Sequence, residues 1–309
     1  MQFLSIGVNK DTDVIIEQIK NEVEKLEKNT IKCSIQNEVN SNGSTIVCSF
    51  NNEKEVSDNI YETYKNALVY HISNALADYI INKYEEKLIA RTISSNYCYF
   101  NSVEKKEILS LALRIIRNED KNFFSSIFQV RRRNIIVKRL VDYLQNSNSL
   151  ILDGFVNFRL KEYIKDLEEI VDKAVDDFLM EREYKEFIRL LRYFVDIQDP
   201  KINVIHVIVS YDNKYILLDE SKKEITNECI QEFVNEISLG EINYDDLLVS
   251  SLITLAPRKI VIHSTTQFRN KELLETIKNV FSGKVIFCQG CDLCMVSVSK
   301  SEQKTLEKN

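Results

Sequence analysis

Proline, glycine and histidine are scarce: two, six and three residues in a chain of 309. With so few helix breakers, long helices can run uninterrupted. Six scattered glycines build neither a Walker phosphate loop nor a G-x-G-x-x-G turn. The chain also lacks a G-x-S-x-G elbow and an H-E-x-x-H pair. With histidine only at positions 71, 206 and 263, acid–base chemistry has few candidates. The sequence offers no catalytic constellation and leans against an enzyme. No stretch approaches the ~18 apolar residues needed to span a bilayer. The opening "MQFLSIGVNKDTD" has no basic n-region, and its apolar run is too short for a signal peptide. These absences give the expectation of a cytoplasmic protein with no membrane partner.

What is present describes a folded chain. Hydrophobic residues make up 44% and charged residues 28%, the balance of a globular protein rather than a disordered one. The length is generous for one core and comfortable for two. A formal net charge of −6 supplies no bulk attraction to nucleic acid or anionic lipid. Seven cysteines are expected in a reducing compartment to be thiols, metal ligands or redox groups rather than structural disulfides.

The fold class read from the pattern is mixed α/β (α+β). An N-terminal α/β segment covers 1–55, a central helical domain 56–200, a C-terminal α/β domain 201–300, and a polar tail 301–309. In the first, "QFLSIGV" is a strand, and apolar residues at Val14, Ile15, Ile19, Val23 and Leu26 have helical spacing. "TIKCSIQNEV" and "STIVCSF" alternate as strands, with Asn42-Gly43 as a hairpin turn and Cys33 and Cys48 filling core space. The middle carries apolar stripes spaced by three and four, including Ile72, Leu76 and Ile80, and Phe155, Phe158, Tyr163 and Leu167. His71 on the first stripe reads as a core or rim residue. Towards the C-terminus, "NVIHVIVS" and "KYILLDE" read as a hairpin joined at Asp212-Asn213. "NECIQEFVNEIS" and "YDDLLVSSLITLA" read as helices, the second stopped by Pro257. "RKIVIHS", "NKELLETIKNVF" and "KVIFC" read as a strand–helix–strand unit, with Asn270 as N-cap and Gly283 as stop signal, whose two strands run parallel if they share a sheet. "CMVSVS" alternates like a returning strand.

The stretch 151–209, with "GFVNFRLKEY" (Gly154–Tyr163) and "EYKEFIRLLRYFVDIQ" (Glu183–Gln198) at its centre, resembles the YtxC-like sporulation proteins of endospore-forming bacteria. The resemblance implies a role in spore formation. It implies no reaction, cofactor or catalytic residue, so the chemistry has to come from the residues themselves.

Three features could carry chemistry. Glu168, Asp172 and Asp176 share a helix face, but a carboxylate di-metal bundle needs Glu-x-x-His pairs, and this segment has no histidine. A solvated face is the reading. The segment Glu104–Arg139 holds ten basic and four acidic residues. Within it Arg131, Arg132, Arg133, Lys138 and Arg139 are candidate contacts for phosphate or nucleic acid. Against this, Arg131–Arg133 spread over a helical arc of about 200°. The segment Glu162–Glu186, with ten acids and four bases, can also complement the basic one within the chain or across a dimer.

The third feature is "FCQGCDLCMV", with Cys288, Cys291 and Cys294 spaced C-x2-C-x2-C and Gly290 free to turn tightly. The bacterial ferredoxin run would place a fourth cysteine at position 298, which is valine. A thioredoxin-type reading of "CQGC" wants a helix after the motif. A zinc-type site needs four ligands. His263 ends one parallel strand and Cys288 the next, so both fall on the sheet edge where α/β folds bind ligands. His263 is the first choice for the fourth ligand, with His206 and Cys229 as alternatives and Ser264–Thr266 alongside. Shared coordination requires the tips of His263 and Cys288 to approach within about 7 Å. The candidate cofactors are zinc or an iron–sulfur cluster.

The leading expectation is a sporulation-associated cytoplasmic protein that acts through protein partners or self-association, with a metal site at Cys288, Cys291, Cys294 and His263. Nucleic-acid or phosphate binding through 131–139 is one alternative. An enzyme at the sheet edge near His263 is another.

Overall fold

The computed structural model describes residues 2–26, 32–40, 43–51, 58–117, 123–209, 214–226, 243–265, 268 and 270–294. The helix expected over "NECIQEFVNEIS", the turn at Asp212-Asn213, Cys229, Thr266, the tail and the residues after Cys294 lie outside these. The chain divides into two compact units, Met1–Met180 and Glu181–Asn309. The architecture is mixed α/β, with helices and two mixed sheets.

The first unit opens with β1 (Gln2–Val8), α1 (Thr12–Glu24), β2 (Lys32–Asn40) and β3 (Gly43–Asn51). The hairpin register pairs Asn40 with Gly43, so Gly43 begins β3 instead of sitting inside the turn. Its φ of 137° and the approach of the Val8 carbonyl, 3.3 Å from where a Cβ would stand, explain the glycine. Helices α2 (Asp58–Asn96), α3 (Ser102–Arg117) and α4 (Phe123–Asn146) follow. A three-residue strand, β4 (Ser149–Ile151), then interrupts the helical run and pairs parallel to β1, giving the sheet order β2-β3-β1-β4. The expected stripe from Phe155 onward is split by Leu160 into α5 (Leu152–Arg159) and α6 (Lys161–Ile197), whose residues from Glu181 on belong to the second unit. Ile6, Ile46 and Cys48 from the sheet, Ile15 and Ile19 from α1, and Ile72, Leu76 and Ile80 from α2 belong to one buried core. Each fully buried aliphatic side chain contributes about 1.5–3 kcal/mol.

The second unit holds β5 (Val204–Val209), β6 (Tyr215–Leu218), α7 (Tyr244–Leu255), β7 (Lys259–Ile262), α8 (Lys271–Val280) and β8 (Val285–Phe287). The sheet order is β6-β5-β7-β8. β5 and β6 are antiparallel, whereas β5, β7 and β8 run parallel. The boundaries follow the signals read above. Asn270 caps α8 by accepting from the Leu273 amide at 3.1 Å, and Gly283 follows with φ 81°. Ala256 ends α7 in the left-handed region directly before Pro257. Leu273, Ile277 and Val280 recur on one face of α8 and are buried with Ile205, Val207, Ile260 and Ile262 of the sheet. This packing holds the C-terminal ends of β5, β7 and β8 together at one edge.

Candidate metal centre

Four side chains converge at that edge. His263 follows the last residue of β7, and its amide still donates to the Val207 carbonyl at 2.9 Å. Cys288 follows the last residue of β8 and donates to the Ile262 carbonyl at 2.9 Å, which continues the ladder. The backbone then turns through Gly290 at φ 133°. Cys291 and Cys294 are drawn back by the Cys294 amide, which donates to the Cys291 carbonyl at 2.9 Å. Asp292–Cys294 is helical, and the rest of the expected strand "CMVSVS" lies outside the described residues.

The donor atoms of His263, Cys288, Cys291 and Cys294 all lie within 4.8 Å of one another. His263 Nδ1 is 3.3 Å from Cys291 Sγ and 3.5 Å from Cys294 Sγ. Cys294 Sγ is 3.8 Å from Cys288 Sγ and 3.9 Å from Cys291 Sγ. Ligands at about 2.0–2.3 Å from one zinc ion stand about 3.5–3.8 Å apart at the corners of a tetrahedron. These four spacings, 3.3–3.9 Å, lie close to those values. Three thiolates and an imidazole are also a donor set that zinc favours.

Electrostatics grade the thiols. Burial works against a Cys294 thiolate. Hydrogen bonds from the backbone of Ser264 and of Cys291, and from the Ser264 hydroxyl, outweigh it and lower the pKa. At Cys288 the Gly290 backbone favours the thiolate, but desolvation and the neighbouring thiols of Cys291 and Cys294 prevail and the pKa rises. Outside the cluster, Cys48 is fully buried, and the thiol of Cys33 beside it together with burial push its pKa up. Cys48 is a core residue and Cys33 packs half-buried against that core, and the three clustered cysteines are half-buried too.

His206, an alternative fourth ligand on sequence grounds, stands behind His263. Its Nδ1 is 2.9 Å from His263 Nε2. Burial, then the charge of Lys222, lower the His206 pKa. Burial, then His206, lower that of His263. Both shifts favour neutral imidazoles. Local sequence signals could not foresee this contact, because it depends on β5 lying beside β7.

The candidate phosphate contacts lie in the first unit. Arg132 is buried, donates to Glu85 and reaches the Ile116 carbonyl at 3.4 Å. Arg133 forks onto Asp78 at 2.7 and 3.1 Å and donates to Asn74. Arg139 pairs with Glu162 at 2.9 Å. Arg131 and Lys138 are exposed. The basic segment thus spends three of these five cations inside the unit. His71 sits at the rim, 3.3 Å from Glu22. Asp172 and Asp176 lie on the exposed face of α6, where Asp172 accepts from the Tyr97 hydroxyl at 2.6 Å.

Comparison with known proteins places the chain. The model of the YtxC-like family matches residues 70–286, and the chain belongs to that family. It is 27% identical over 215 residues to the "Uncharacterized protein YtxC" of Bacillus subtilis (strain 168), an alignment covering 68% of this chain and 73% of that protein. No solved structure matches the chain. The family match includes His206 and His263 and stops before the three clustered cysteines.

Proposed function

We propose that this protein is a sporulation-associated cytoplasmic protein that works by interaction, and that its second unit is organised by a single zinc ion held by His263, Cys288, Cys291 and Cys294. The observation that carries the zinc reading is the gathering of four donors within 4.8 Å of one another. That reading stands on geometry, because the cysteines lie beyond the residues matched by the family model. Zinc is favoured over an iron–sulfur cluster for a geometric reason. A cluster distributes its ligands over several irons and needs them further apart than four donors around one ion.

Four protein ligands fill a tetrahedron and leave no position for water or substrate, which is the pattern of structural zinc rather than catalytic zinc. The ion joins the ends of β7 and β8 to the loop 288–294. Its role in this reading is to hold that edge of the second unit in one shape for a protein partner or a second copy. Resemblance to YtxC-like sporulation proteins supports the biological setting.

Elemental analysis of protein purified without oxygen tests the zinc reading, with one zinc per chain and protected cluster thiols expected. Absence of zinc and iron, with the thiols of Cys288, Cys291 and Cys294 freely alkylated, would remove it. Spore yield of a strain lacking the protein tests the setting. An unchanged yield would count against it.

A further inference from the structure

We propose that His206 is a positioning residue of the zinc centre, which commits His263 to bind the ion through Nδ1. The inference rests on the zinc reading above and adds a residue that does not touch the ion. A neutral imidazole carries one proton, and a nitrogen that binds metal must be the unprotonated one. His263 presents Nδ1 to the sulfurs of Cys291 and Cys294. As a ligand through Nδ1 it therefore carries its proton on Nε2. His263 is 2% exposed, so bulk water does not serve that N–H. A buried N–H left without an acceptor is destabilising, so it needs a partner inside the protein. The acceptor in place is His206 Nδ1, at 2.9 Å from His263 Nε2.

The sheet builds this contact. His206 on β5 is in register with Val261 on β7. His263 is two residues beyond Val261, on the same face of the strand, so the two imidazoles are diagonal neighbours. Their rings lie 5.1 Å apart at 36°. To accept, His206 carries its own proton on Nε2. His206 thus fixes both the tautomer and the ring orientation of its neighbour, as outer partners of metal-bound histidines do.

The test uses the full chain loaded with zinc. Long-range nitrogen–proton NMR spectra should show His263 bound through Nδ1 and protonated at Nε2, with His206 unprotonated at Nδ1. His206→Ala should lower zinc affinity about ten- to a hundredfold while keeping one zinc per chain. His206→Asn, whose amide carbonyl can accept the same hydrogen bond, should recover most of that loss. An affinity of the alanine variant within about twofold of the parent would overturn the proposal, as would coordination of His263 through Nε2. Should His206→Ala fail to fold, the spectra of the unmutated protein still decide. If the unmutated protein binds no zinc, the zinc reading itself falls and this inference with it. Zinc binding that ignores His206 overturns only the inference.

Discussion

Arg132 and Glu85 meet from α4 and α2, 47 positions apart, and the Tyr163 hydroxyl donates to the same carboxylate at 2.9 Å. Burial raises the Glu85 pKa above its ordinary value of 4.5, opposed by the charge of Arg132 and the Tyr163 hydrogen bond. Replacing Arg132 by alanine removes the cation hydrogen-bonded to a buried carboxylate and leaves only the charge of Arg117 near it, so Arg132→Ala should cost about 3–5 kcal/mol in urea unfolding near neutral pH. The sign with pH follows from the raised value. Between its ordinary and its raised pKa, the folded state binds the proton more readily than the unfolded state. Stability from this group is therefore fully present below 4.5 and falls as pH rises through the folded value. The variant should be less destabilised at mildly acidic pH than at neutral pH. An equal deficit at both would contradict this account of Glu85. Glu22 runs the opposite way. Burial opposes its ionisation, but the hydrogen bonds of Lys25 and His71 lower its pKa, so its stabilisation is lost as pH falls.

At the scale of elements, the loop that closes the centre depends on Gly290. Its φ of 133° is unfavourable for any residue with a Cβ, and no atom lies within 4 Å of where a Cβ would stand. Gly290→Ala therefore tests backbone strain alone, at a cost of order 1–3 kcal/mol. Competition with a zinc chelator should show weaker binding, with all four ligands still present. Unchanged affinity would show that the turn does not hold the ligands. Helix α8, between β7 and β8, can be tested separately. Ile277 is fully buried, and Ile277→Ala should lower stability by about 2–5 kcal/mol. The helix boundaries here were legible because their signals are local: Asn270 at the start, Gly283 at the end, a period of 3.6 between. The shared edge of His263 and Cys288 was legible for the same reason, since a strand–helix–strand unit places both strand ends together. β4 was not, because three residues carry no period. The His206–His263 contact was not either, because nothing local shows that β5 pairs with β7. Partners such as Arg132 and Glu85 are invisible for the same reason, and the compensation of the two charged segments bears only on a pair such as Arg139 and Glu162.

At the scale of the molecule, each unit has its own buried core, one around Ile6, Ile72 and Tyr163 and one around Val207, Ile262 and Ile277. Because zinc binding to a site absent from the unfolded chain is folding free energy, its removal should act on the second unit. Hydrogen exchange after chelation should accelerate in β5, β7 and β8 and stay unchanged in β1 and β3. Equal acceleration in both sheets would show that the ion supports the whole chain. The central claim is one ion shared by three sulfurs and one nitrogen. X-ray absorption at the zinc edge, on protein purified without oxygen, measures that directly. The account predicts three sulfurs at about 2.3 Å and one nitrogen at about 2.0–2.1 Å, with the nitrogen lost in His263→Ala. A shell without sulfur, or a protein that holds no metal, would contradict it.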